Sequence, residues 1–404
     1  MKTGYFKKEN VVVVGGCGHI GLPLSLILAQ LGHNVTALDV NQSLVDQVNS
    51  GTMPFLEEGA PKLLSESLES SQFKATTDFA SIGKAEVIII CIGTPVDEHM
   101  SPVPRVFTDL LDLMKPFLNC NQLLILRSTV YPGTTMLASR HLQEVGVDIA
   151  FCPERILQGK AVQELKSLPH IVSGVTKKAE KRAEAFFSEL GKVVLAKVEE
   201  AEFAKLFLNT YRYIEFATTN QLYTIANDAG VDYSRVLEIM KEEYPRAAKL
   251  PGPGLTAGPC LMKDTMQLVS YSQNRFSIGA AAFFANEGLA LYIVEKLMEV
   301  YKRDNLKVGL LGMAFKANND DIRSSLSYRV KKAFLLGGAV VFAADSRVTS
   351  DLTLVSEEIV IRECDIIVIC APHDEYKTLD YCGKPVFDIW NILGRGNLIH
   401  VAKD

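Results

Sequence analysis

The sequence predicts an α/β protein in which two doubly wound Rossmann-like domains are joined by a central domain of long helices. Three observations indicate this architecture. Apolar, strand-like runs alternate with helical patterns over 1–197, long helical periodicity without strands follows over 198–302, and the alternation returns over 303–404. Alternating strands and helices are typical of parallel sheets with helices on both faces. We therefore expect three domains with these boundaries.

The predicted strands are continuous apolar runs, which are typical of strands buried on both faces. In the first domain they lie at 11–14, 34–39, 87–92, 123–127 and 148–151. Helical patterns such as those at 107–117 and 135–144 separate them. In the last domain, strands are expected at 307–311, 340–344, 365–371 and 386–389.

The central domain is predicted to contain three helical stretches. The first covers 200–228 and is ended by Gly230, and the second covers 233–242. The third covers 264–301, with a break expected near Gly279. A segment of long helices with so few strands suggests a connector that forms a dimer.

Composition and charge exclude several classes of protein. With 404 residues, 48% of them hydrophobic and 22% charged, the chain is expected to be globular and soluble. A net charge of -5 argues against a nucleic-acid partner, which calls for clustered basic residues. No uninterrupted apolar run reaches the roughly 18 residues of a membrane helix, and the N-terminus lacks a signal-peptide pattern. We therefore expect a cytoplasmic protein without a membrane partner. The eight cysteines are scattered, which predicts neither a disulfide framework nor a metal site.

A dinucleotide-binding fingerprint follows the first predicted strand. Its glycines lie between that strand and a predicted helix, and an acidic residue ends the next strand 18 positions after the last glycine. In this context the glycines allow a tight turn and a close approach to a pyrophosphate at the helix N-terminus. The carboxylate accepts hydrogen bonds from a ribose and repels a 2′-phosphate, so the predicted cofactor is NAD. The predicted contacts are Gly16, Gly18, His19, Ile20, Gly21 and Asp39.

Two further segments end strands on the side where parallel sheets bind ligands. They are 92–95, which contains Thr94, and 127–133, which contains Thr129. Both are predicted to contact the nicotinamide half of the cofactor. Ordinary turn chemistry explains the same residue types, and this alternative stays open.

A glycine- and proline-rich segment at 251–260 ends in Cys260, where a helix is predicted to begin. A thiol at a helix N-terminus with Lys263 beside it is expected to be reactive. Lys205 and Asn209, four residues apart on a predicted helix, share one face and interrupt its apolar stripe. A shared binding target explains this pair, although a solvated helix face is the alternative.

Taken together, these motifs resemble the UDP-glucose/GDP-mannose dehydrogenase family over nearly the whole chain. The resemblance is carried by Gly-x-Gly-x-x-Gly-Leu-Pro at 16–23, Ser-Thr-Val-x-Pro-Gly-Thr-Thr at 128–135, Pro-Glu at 153–154, Ala-Lys-x-x-x-Asn at 204–209, Gly-x-Cys-x-x-Lys-Asp at 258–264, and Gly-Met-Ala-Phe-Lys with the Asp-Asp-Ile-Arg-Ser-Ser that follows it at 312–325. The segment that follows residue 153 is more similar to the branch acting on UDP-linked 2-acetamido sugars than to the glucose branch. The resemblance implies oxidation of a sugar C6 alcohol to a carboxylate, with two NAD used in succession, and a homodimer or higher homo-oligomer.

The resemblance also implies roles for individual residues. Cys260 would hold the thiohemiacetal and the thioester, and Lys205 would stabilise the anionic oxygen. Asn209 would orient the substrate, while Asp264 would position water or the Lys205 ammonium. Glu154, with Thr129 nearby, would activate water for hydrolysis. Further substrate contacts would come from Ile156, Leu157, Gly254 and Lys316, and Arg323 would reach the NAD phosphates.

Two other readings of the sequence remain. A two-electron dehydrogenase of the 3-hydroxyacid or 6-phosphogluconate type shares the first domain, the long helices and a Lys and Asn on one helix. It would need neither Cys260 nor a third domain. A non-enzymatic relative that kept the fold and lost turnover is the second reading, and only Pro259, beside the thiol, favours it.

Overall fold

The computed structural model describes residues 8–399. The chain packs into two compact units, one within Met1–Leu208 and one within Asn209–Asp404. The boundary falls inside a single long helix. The division into three domains, with limits after residues 197 and 302, stays a prediction.

The first unit contains eight strands and seven complete α-helices. The strands are Asn10–Val14 (β1), Asn34–Leu38 (β2), Phe73–Thr76 (β3), Val87–Ile90 (β4), Leu123–Leu126 (β5), Asp148–Phe151 (β6), His170–Gly174 (β7) and Val193–Leu195 (β8). The helices are Gly21–Gln30 (α1), Gln42–Asn49 (α2), Ala60–Glu69 (α3), Pro104–Met114 (α4), Thr134–His141 (α5), Ala161–Ser167 (α6) and Lys177–Ser188 (α7). Short 3-10 helices lie at Phe79–Lys84 and Lys115–Phe117.

These strands form one sheet in the order β3-β2-β1-β4-β5-β6-β7-β8. The first six in that order run parallel, and in the register of β1, Val12 lies opposite Thr36 of β2 and Ile88 of β4. β7 runs antiparallel to β6, and β8 runs parallel to β7. The strand order reverses between β1 and β4, which is where sheets of this kind bind ligands, at the carboxyl ends of the strands.

Alternate residues of each central strand enter different cores, because successive side chains of a strand point to opposite faces. Val11 and Val13 of β1 pack in a cluster with leucines of α1. Val12 and Val14 pack in a second cluster with Phe107 of α4. The four consecutive valines are therefore explained by a sheet that helices cover on both faces.

The second unit begins within α8, the 31-residue helix Val198–Asp228. It contains Tyr233–Lys241 (α9), Leu261–Tyr271 (α10), Ser277–Val300 (α11), Lys307–Leu311 (β9), Leu326–Leu336 (α12), Val340–Ala344 (β10), Glu357–Glu363 (α13), Ile366–Ile369 (β11) and Val386–Asp388 (β12), with a 3-10 helix at Asp374–Lys377. The strands form a parallel sheet in the order β10-β9-β11-β12. Leu310 and Leu311 of β9 enter opposite cores, so this sheet is also covered on both faces. The predicted fold class is confirmed.

The predicted helical stretch 264–301 is interrupted earlier than expected. The break separates α10 from α11, and Gln273 and Asn274 within it adopt left-handed backbone angles, with φ of 55° and 61°. Such angles end a helix. Gly279 lies inside α11 instead, where a Cβ would approach the Phe276 ring to 2.6 Å. The glycine therefore provides room for packing.

One described helix, α11, is long and apolar enough to cross a membrane by length and composition alone, with a mean hydropathy of 1.4 in its most apolar window. This helix contains no uninterrupted apolar run of sufficient length in the sequence, because polar side chains such as Asn286 lie within it. Leu289, Ile293 and Leu297 of this helix pack in a core cluster with β9. A core helix passes the same test, so the observation is weak evidence for a membrane span.

Candidate active site

The turn between β1 and α1 is shaped by close backbone contacts. Gly15 has a φ of 75°, in the left-handed region that favours glycine. A Cβ on Gly16 would lie 2.6 Å from the Ala37 Cα of β2, and a Cβ on Gly21 would lie 2.2 Å from the Gly15 carbonyl oxygen. Gly16 and Gly21 are therefore required by packing within the protein. The left-handed residue that makes the turn is Gly15, which precedes the fingerprint.

Gly18 differs from its neighbours in this turn. A Cβ on Gly18 would meet one atom within 4 Å, the Gly15 carbonyl oxygen at 3.5 Å. Packing within the protein therefore does not require a glycine at this position. Ile20 occupies the N-cap of α1, no side chain caps that helix, and its first turn contains no acidic residue. A helix N-terminus with these properties favours an anion, so the turn fits the pyrophosphate of NAD.

Asp39 follows β2 and is half-buried beside this turn. Its carboxylate accepts hydrogen bonds from the backbone N–H of Cys17 at 3.2 Å and of Asn41 at 3.1 Å. These bonds fix its orientation and leave lone pairs for a ribose hydroxyl. The His19 ring lies with its centroid 4.0 Å from that of Phe55. Burial, and then the Asp39 charge, raise the pKa of the Cys17 thiol to about 12, so this thiol stays protonated.

The loops after β4 and β5 are joined by hydroxyl groups. The Thr94 hydroxyl donates a hydrogen bond to the Thr129 carbonyl at 2.5 Å. The Ser128 hydroxyl donates to the Ile92 carbonyl at 2.7 Å. The two segments predicted to contact the nicotinamide half therefore lie together at the carboxyl ends of adjacent strands.

Glu154 lies in a buried charged cluster that the sequence analysis did not identify. Its carboxylate pairs with Arg127, whose side chain is 1% exposed and which also donates to the Cys152 carbonyl at 3.2 Å. The other carboxylate oxygen accepts from the backbone N–H of Arg155 at 2.6 Å and of Ile156 at 2.9 Å. The one signal in the sequence was a charged residue, Arg127, at the end of an otherwise apolar strand.

Leu157, the next predicted substrate contact, is exposed. Its backbone N–H donates to Glu164 at 2.5 Å. The segment that follows Glu154 is therefore held by two carboxylates. Glu154 accepts from the backbone of residues 155–156, and Glu164 accepts from the backbone of Leu157.

In the second unit, Cys260 is exposed and occupies the N-cap of α10. No side chain caps this helix, and the backbone N–H of Asp264 donates to the Cys260 carbonyl at 2.9 Å. All eight cysteines lie within the described residues, and none forms a disulfide. Cys120 and Cys382 are also exposed, so exposure alone does not distinguish Cys260. Its position at a helix N-terminus does.

Asp264 is fully buried and contacts two of the residues around it. Asn209 donates to its carboxylate at 2.6 Å, and the Lys263 ammonium lies 2.7 Å from it. Asn209 and Asp264, which the sequence assigned to one site, are thus in direct contact. The predicted task of Asp264, positioning water or the Lys205 ammonium, stays a prediction. Lys205 is buried in α8, one turn before Asn209.

The glycines of the segment before Cys260 lie against aromatic rings. A Cβ on Gly254 would come within 2.1 Å of the Trp390 ring, and one on Gly258 within 2.6 Å of the Phe315 ring. Gly258 also has a φ of 107°. Asn220 exchanges two hydrogen bonds with the Gly254 backbone, at 2.9 and 3.1 Å. Packing therefore requires a glycine at position 254, and its predicted contact with the substrate stays a prediction.

The loop after β9 carries Lys316 and Arg323. The Lys316 ammonium lies 5.6 Å from the centroid of the Phe315 ring. Arg323 makes a bidentate pair with Asp321, with contacts of 2.9 and 2.6 Å. Hydrogen bonding to Asp321 raises the pKa of Arg323, burial opposes this, and the negative charge of Asp321 adds to the increase. Asp321 therefore favours the charged form of Arg323.

Among residues 8–399, no group of three or more His, Cys, Asp or Glu side chains is placed to hold a metal ion.

Comparison with known proteins assigns a family to each region of the chain. Residues 9–191 match the NAD binding domain of the UDP-glucose/GDP-mannose dehydrogenase family, residues 199–283 match its central domain, and residues 309–395 match its UDP binding domain. The chain is 32% identical to the UDP-N-acetyl-D-mannosamine dehydrogenase of Methanocaldococcus jannaschii, over 98% of this chain and 94% of that protein. It is 26% identical to the NDP-N-acetyl-D-galactosaminuronic acid dehydrogenase of Ralstonia nicotianae, over 92% of each.

Solved structures show the same similarity. A UDP-glucose dehydrogenase from Pyrobaculum islandicum superposes with a TM-score of 0.88 at 25% identity, covering 96% of this chain and 95% of that one. A UDP-D-ManNAc dehydrogenase from Pyrococcus horikoshii gives a TM-score of 0.87 at 26% identity, covering 98% and 96%.

Proposed function

The chain belongs to the UDP-glucose/GDP-mannose dehydrogenase family, and from this premise we propose that it oxidises the C6 alcohol of a UDP-linked sugar to a carboxylate. It is an NAD-dependent oxidoreductase, with NAD bound by its first domain. The observation that carries the proposed four-electron reaction is Cys260, an exposed thiol at the N-terminus of α10. A two-electron dehydrogenase does not require such a thiol, and neither does a protein that only binds the cofactor.

The proposed reaction balances atoms and electrons in three steps. NAD, when bound, accepts a hydride from the sugar carbon, and two molecules are reduced per sugar. Loss of the first hydride and a proton converts the alcohol to an aldehyde. The Cys260 sulfur adds to the aldehyde carbon, and loss of a second hydride and proton gives a thioester. Water then cleaves the carbon–sulfur bond, which releases the uronate and returns the thiol.

Several further side chains have separate proposed tasks in this reaction. Lys205 stabilises the negative oxygen of the alkoxide and of the thiohemiacetal, because an ammonium favours developing negative charge. Asn209 orients the substrate, and its hydrogen bond to Asp264 supports that role. Glu154 accepts the proton of the hydrolytic water, with Thr129 nearby. The Arg127 pair keeps one Glu154 oxygen in place for this task.

Cofactor binding is proposed for the turn around Gly18, for Asp39, and for Thr94 and Thr129. The room above Gly18, the uncapped N-terminus of α1 and the oriented Asp39 carboxylate support this assignment. The contact of Arg323 with the NAD phosphates stays a prediction. Among the substrate contacts, Ile156, Leu157, Gly254 and Lys316 are also proposals.

The proposed substrate is a UDP-linked 2-acetamido sugar, with UDP-glucose as the second choice. Relatives named for N-acetylmannosamine and N-acetylgalactosaminuronic acid support an acetamido sugar. A cytoplasmic location is proposed because nucleotide sugars and NAD are cytoplasmic metabolites.

Self-association through the long helices is also proposed. Five apolar side chains on α8 and α11 are more than half exposed, and exposed apolar groups of this size favour a protein partner. They are Phe207, Tyr211, Ile225, Ile278 and Phe284. Light scattering coupled to size exclusion would give twice the monomer mass, or a higher multiple, and a monomer would contradict this part of the proposal.

The yield of NADH per sugar tests the proposed function. The purified protein is incubated with NAD and a limiting amount of UDP-N-acetylmannosamine, UDP-N-acetylgalactosamine, UDP-N-acetylglucosamine or UDP-glucose. Each sugar consumed should yield two NADH and one uronate. A yield of one NADH, with an aldehyde or ketone as product, would favour a two-electron dehydrogenase. Oxidation of none of these sugars would reject the substrate class.

A further inference from the structure

A buried Asp–His pair lies in the second unit, outside every motif found in the sequence. Asp345 directly follows β10, and His373 lies shortly after β11. The His373 Nε2 atom is 3.0 Å from the Asp345 Oδ2 atom, and both side chains are 0% exposed. A buried pair of this kind is stable only when its hydrogen bonds are satisfied. Its other hydrogen-bond partners therefore show which part of the backbone the pair fixes.

Besides the backbone N–H of Arg347, which donates to the Asp345 Oδ1 atom at 3.0 Å, those partners lie at the two ends of segment 313–318. The Asp345 Oδ2 atom accepts from the backbone N–H of Met313 at 2.7 Å and of Ala314 at 2.9 Å. The His373 Nδ1 atom accepts from the backbone N–H of Asn318 at 2.8 Å. Because Nδ1 is an acceptor, the hydrogen-bond network assigns the ring proton to Nε2, which donates to Asp345.

The charge of Asp345 is stabilised by these contacts. Burial opposes ionisation of the carboxyl group, but the hydrogen bonds from His373 and from the two backbone N–H groups lower the pKa of Asp345 below its ordinary value. The carboxylate therefore stays ionised at neutral pH, and hydrogen bonds to a charged group are stronger than neutral ones.

No helix or strand holds segment 313–318. It begins after Gly312, with a φ of 87°, and ends at Asn318, with a φ of 53°. The Asn318 side chain exchanges hydrogen bonds with Asp374 at 2.6 and 3.1 Å. A segment between two left-handed residues would otherwise lose much entropy on becoming ordered, so its fixed backbone depends on these contacts.

The location of the segment points to a ligand. In the sheet order β10-β9-β11-β12, the order in which strands are added reverses between β9 and β11. Segment 313–318 follows β9, and His373 follows β11, so both lie at the carboxyl ends of the two strands that flank this switch point. Open parallel sheets bind ligands there. Lys316 lies midway between the two anchored ends.

We propose that Asp345 and His373 are positioning residues that fix segment 313–318, so that Lys316 is held in place for the diphosphate of the nucleotide sugar. This inference rests on the proposed substrate role of Lys316. Holding the backbone in advance removes an ordering cost from binding, and the ammonium group suits a diphosphate. Neither Asp345 nor His373 contacts the substrate.

Titration with UDP and a double-mutant cycle test the proposal. His373→Gln keeps a polar group of similar reach but not the imidazole geometry, and Lys316→Ala removes the ammonium. Each single variant should weaken UDP binding about tenfold, roughly 1.4 kcal/mol. The double variant should bind UDP about as weakly as Lys316→Ala alone, because His373 acts through Lys316. NAD affinity should not change.

Two controls separate positioning from general damage. Tyr381→Phe removes another buried hydrogen bond of this unit, from the tyrosine hydroxyl to the Tyr376 carbonyl at 2.7 Å, and should leave UDP affinity unchanged. Asp345→Asn keeps the shape of the carboxylate and replaces His373→Gln if thermal melting shows that the latter does not fold.

Three results would overturn the proposal. Additive losses of UDP affinity in the double variant would show that His373 acts independently of Lys316. Unchanged UDP affinity in a folded His373→Gln protein would show that the pair does not position the segment. Unchanged UDP affinity in Lys316→Ala would show that His373 does not act through Lys316. The proposed function is tested separately, by the NADH yield of the unmodified protein.

Discussion

In the first unit, the turn between β1 and α1 leaves Gly18 with one atom, the Gly15 carbonyl oxygen at 3.5 Å, near the position that a Cβ would take. In the second unit, the segment before Cys260 presses Gly254 against the Trp390 ring and Gly258 against the Phe315 ring. Both segments are rich in glycine, but the glycines have different roles in the two. One leaves room for a ligand, and the other makes room for aromatic side chains that hold the loop.

This difference teaches that a glycine-rich segment in a binding region is not by itself a ligand cradle. Where neighbouring protein atoms fill the space beside a glycine, substitution should cost stability. Where that space is open, substitution should cost ligand affinity. The substitutions that follow test the distinction in both units.

The largest effect is expected at the end of the second segment. Cys260→Ser should lower uronate formation by at least on the order of 10³-fold, because a serine hydroxyl is a far weaker nucleophile without a dedicated base. The free energy of unfolding and the affinity for NAD should not change. Cys382→Ser, at another exposed thiol, is the matched control and should retain full activity. Normal uronate formation by Cys260→Ser would remove this residue from the mechanism.

Gly254→Ala should destabilise the second unit by about 2 kcal/mol, because the new methyl group overlaps the Trp390 ring. Urea unfolding followed by Trp390 fluorescence measures the change, since this is the one tryptophan in the chain. In the Trp390→Leu background, where far-UV circular dichroism replaces the lost tryptophan signal, the same substitution should cost less stability, because the overlapping ring is absent. Equal stability of Gly254→Ala and the unmodified protein would show that packing does not require this glycine.

Gly18→Ala should weaken NAD binding about tenfold, roughly 1.4 kcal/mol, without lowering the free energy of unfolding. The open space beside Gly18 accommodates a methyl group but then no longer accommodates a phosphate at the same distance. Gly16→Ala is the comparison variant, and it should unfold more easily, because its Cβ would lie 2.5 Å from the Val13 carbonyl oxygen. If both variants lost stability equally, the contrast drawn within this turn would be wrong.

The smallest effect is expected at Asp39. Asp39→Asn removes the negative charge and keeps one oxygen, which can replace the acceptor of either the Cys17 or the Asn41 N–H but not of both, because these donate to different carboxylate oxygens. We expect NAD affinity to fall about fivefold, roughly 1 kcal/mol, and the preference for NAD over NADP to narrow. Titration with both cofactors measures this. An unchanged preference would indicate that Asp39 does not face the ribose.

Much of the fold could be predicted because its central strands are continuous apolar runs. Strands such as 11–14, 307–311 and 340–344 were predicted within a residue of their observed limits. β3 and β7 were missed because polar residues such as Lys74 and His170 interrupt their apolar pattern, and β8 was missed because its apolar run has only three residues. The reversed direction of β7 depends on pairing with β6, which no local pattern records.

The candidate site was predictable where its residues belong to motifs of the family that the sequence resembles, even when those motifs are far apart in the sequence. Asn209 and Asp264 were assigned to one site by the family resemblance and are in contact. Arg127, Asp345 and His373 were missed, because their importance depends on partners that are distant in the sequence. A buried arginine or histidine shows its role only when the fold brings its partner into contact.

The most direct test of the central claim, that Cys260 carries the second oxidation, supplies the aldehyde and measures that oxidation alone. A nucleotide-sugar 6-aldehyde and NAD are mixed with the unmodified protein or with Cys260→Ala, and NADH is followed by absorbance. The account predicts one NADH and one uronate per aldehyde with the unmodified protein and no NADH with the variant. Oxidation of the aldehyde by Cys260→Ala at the unmodified rate would contradict it.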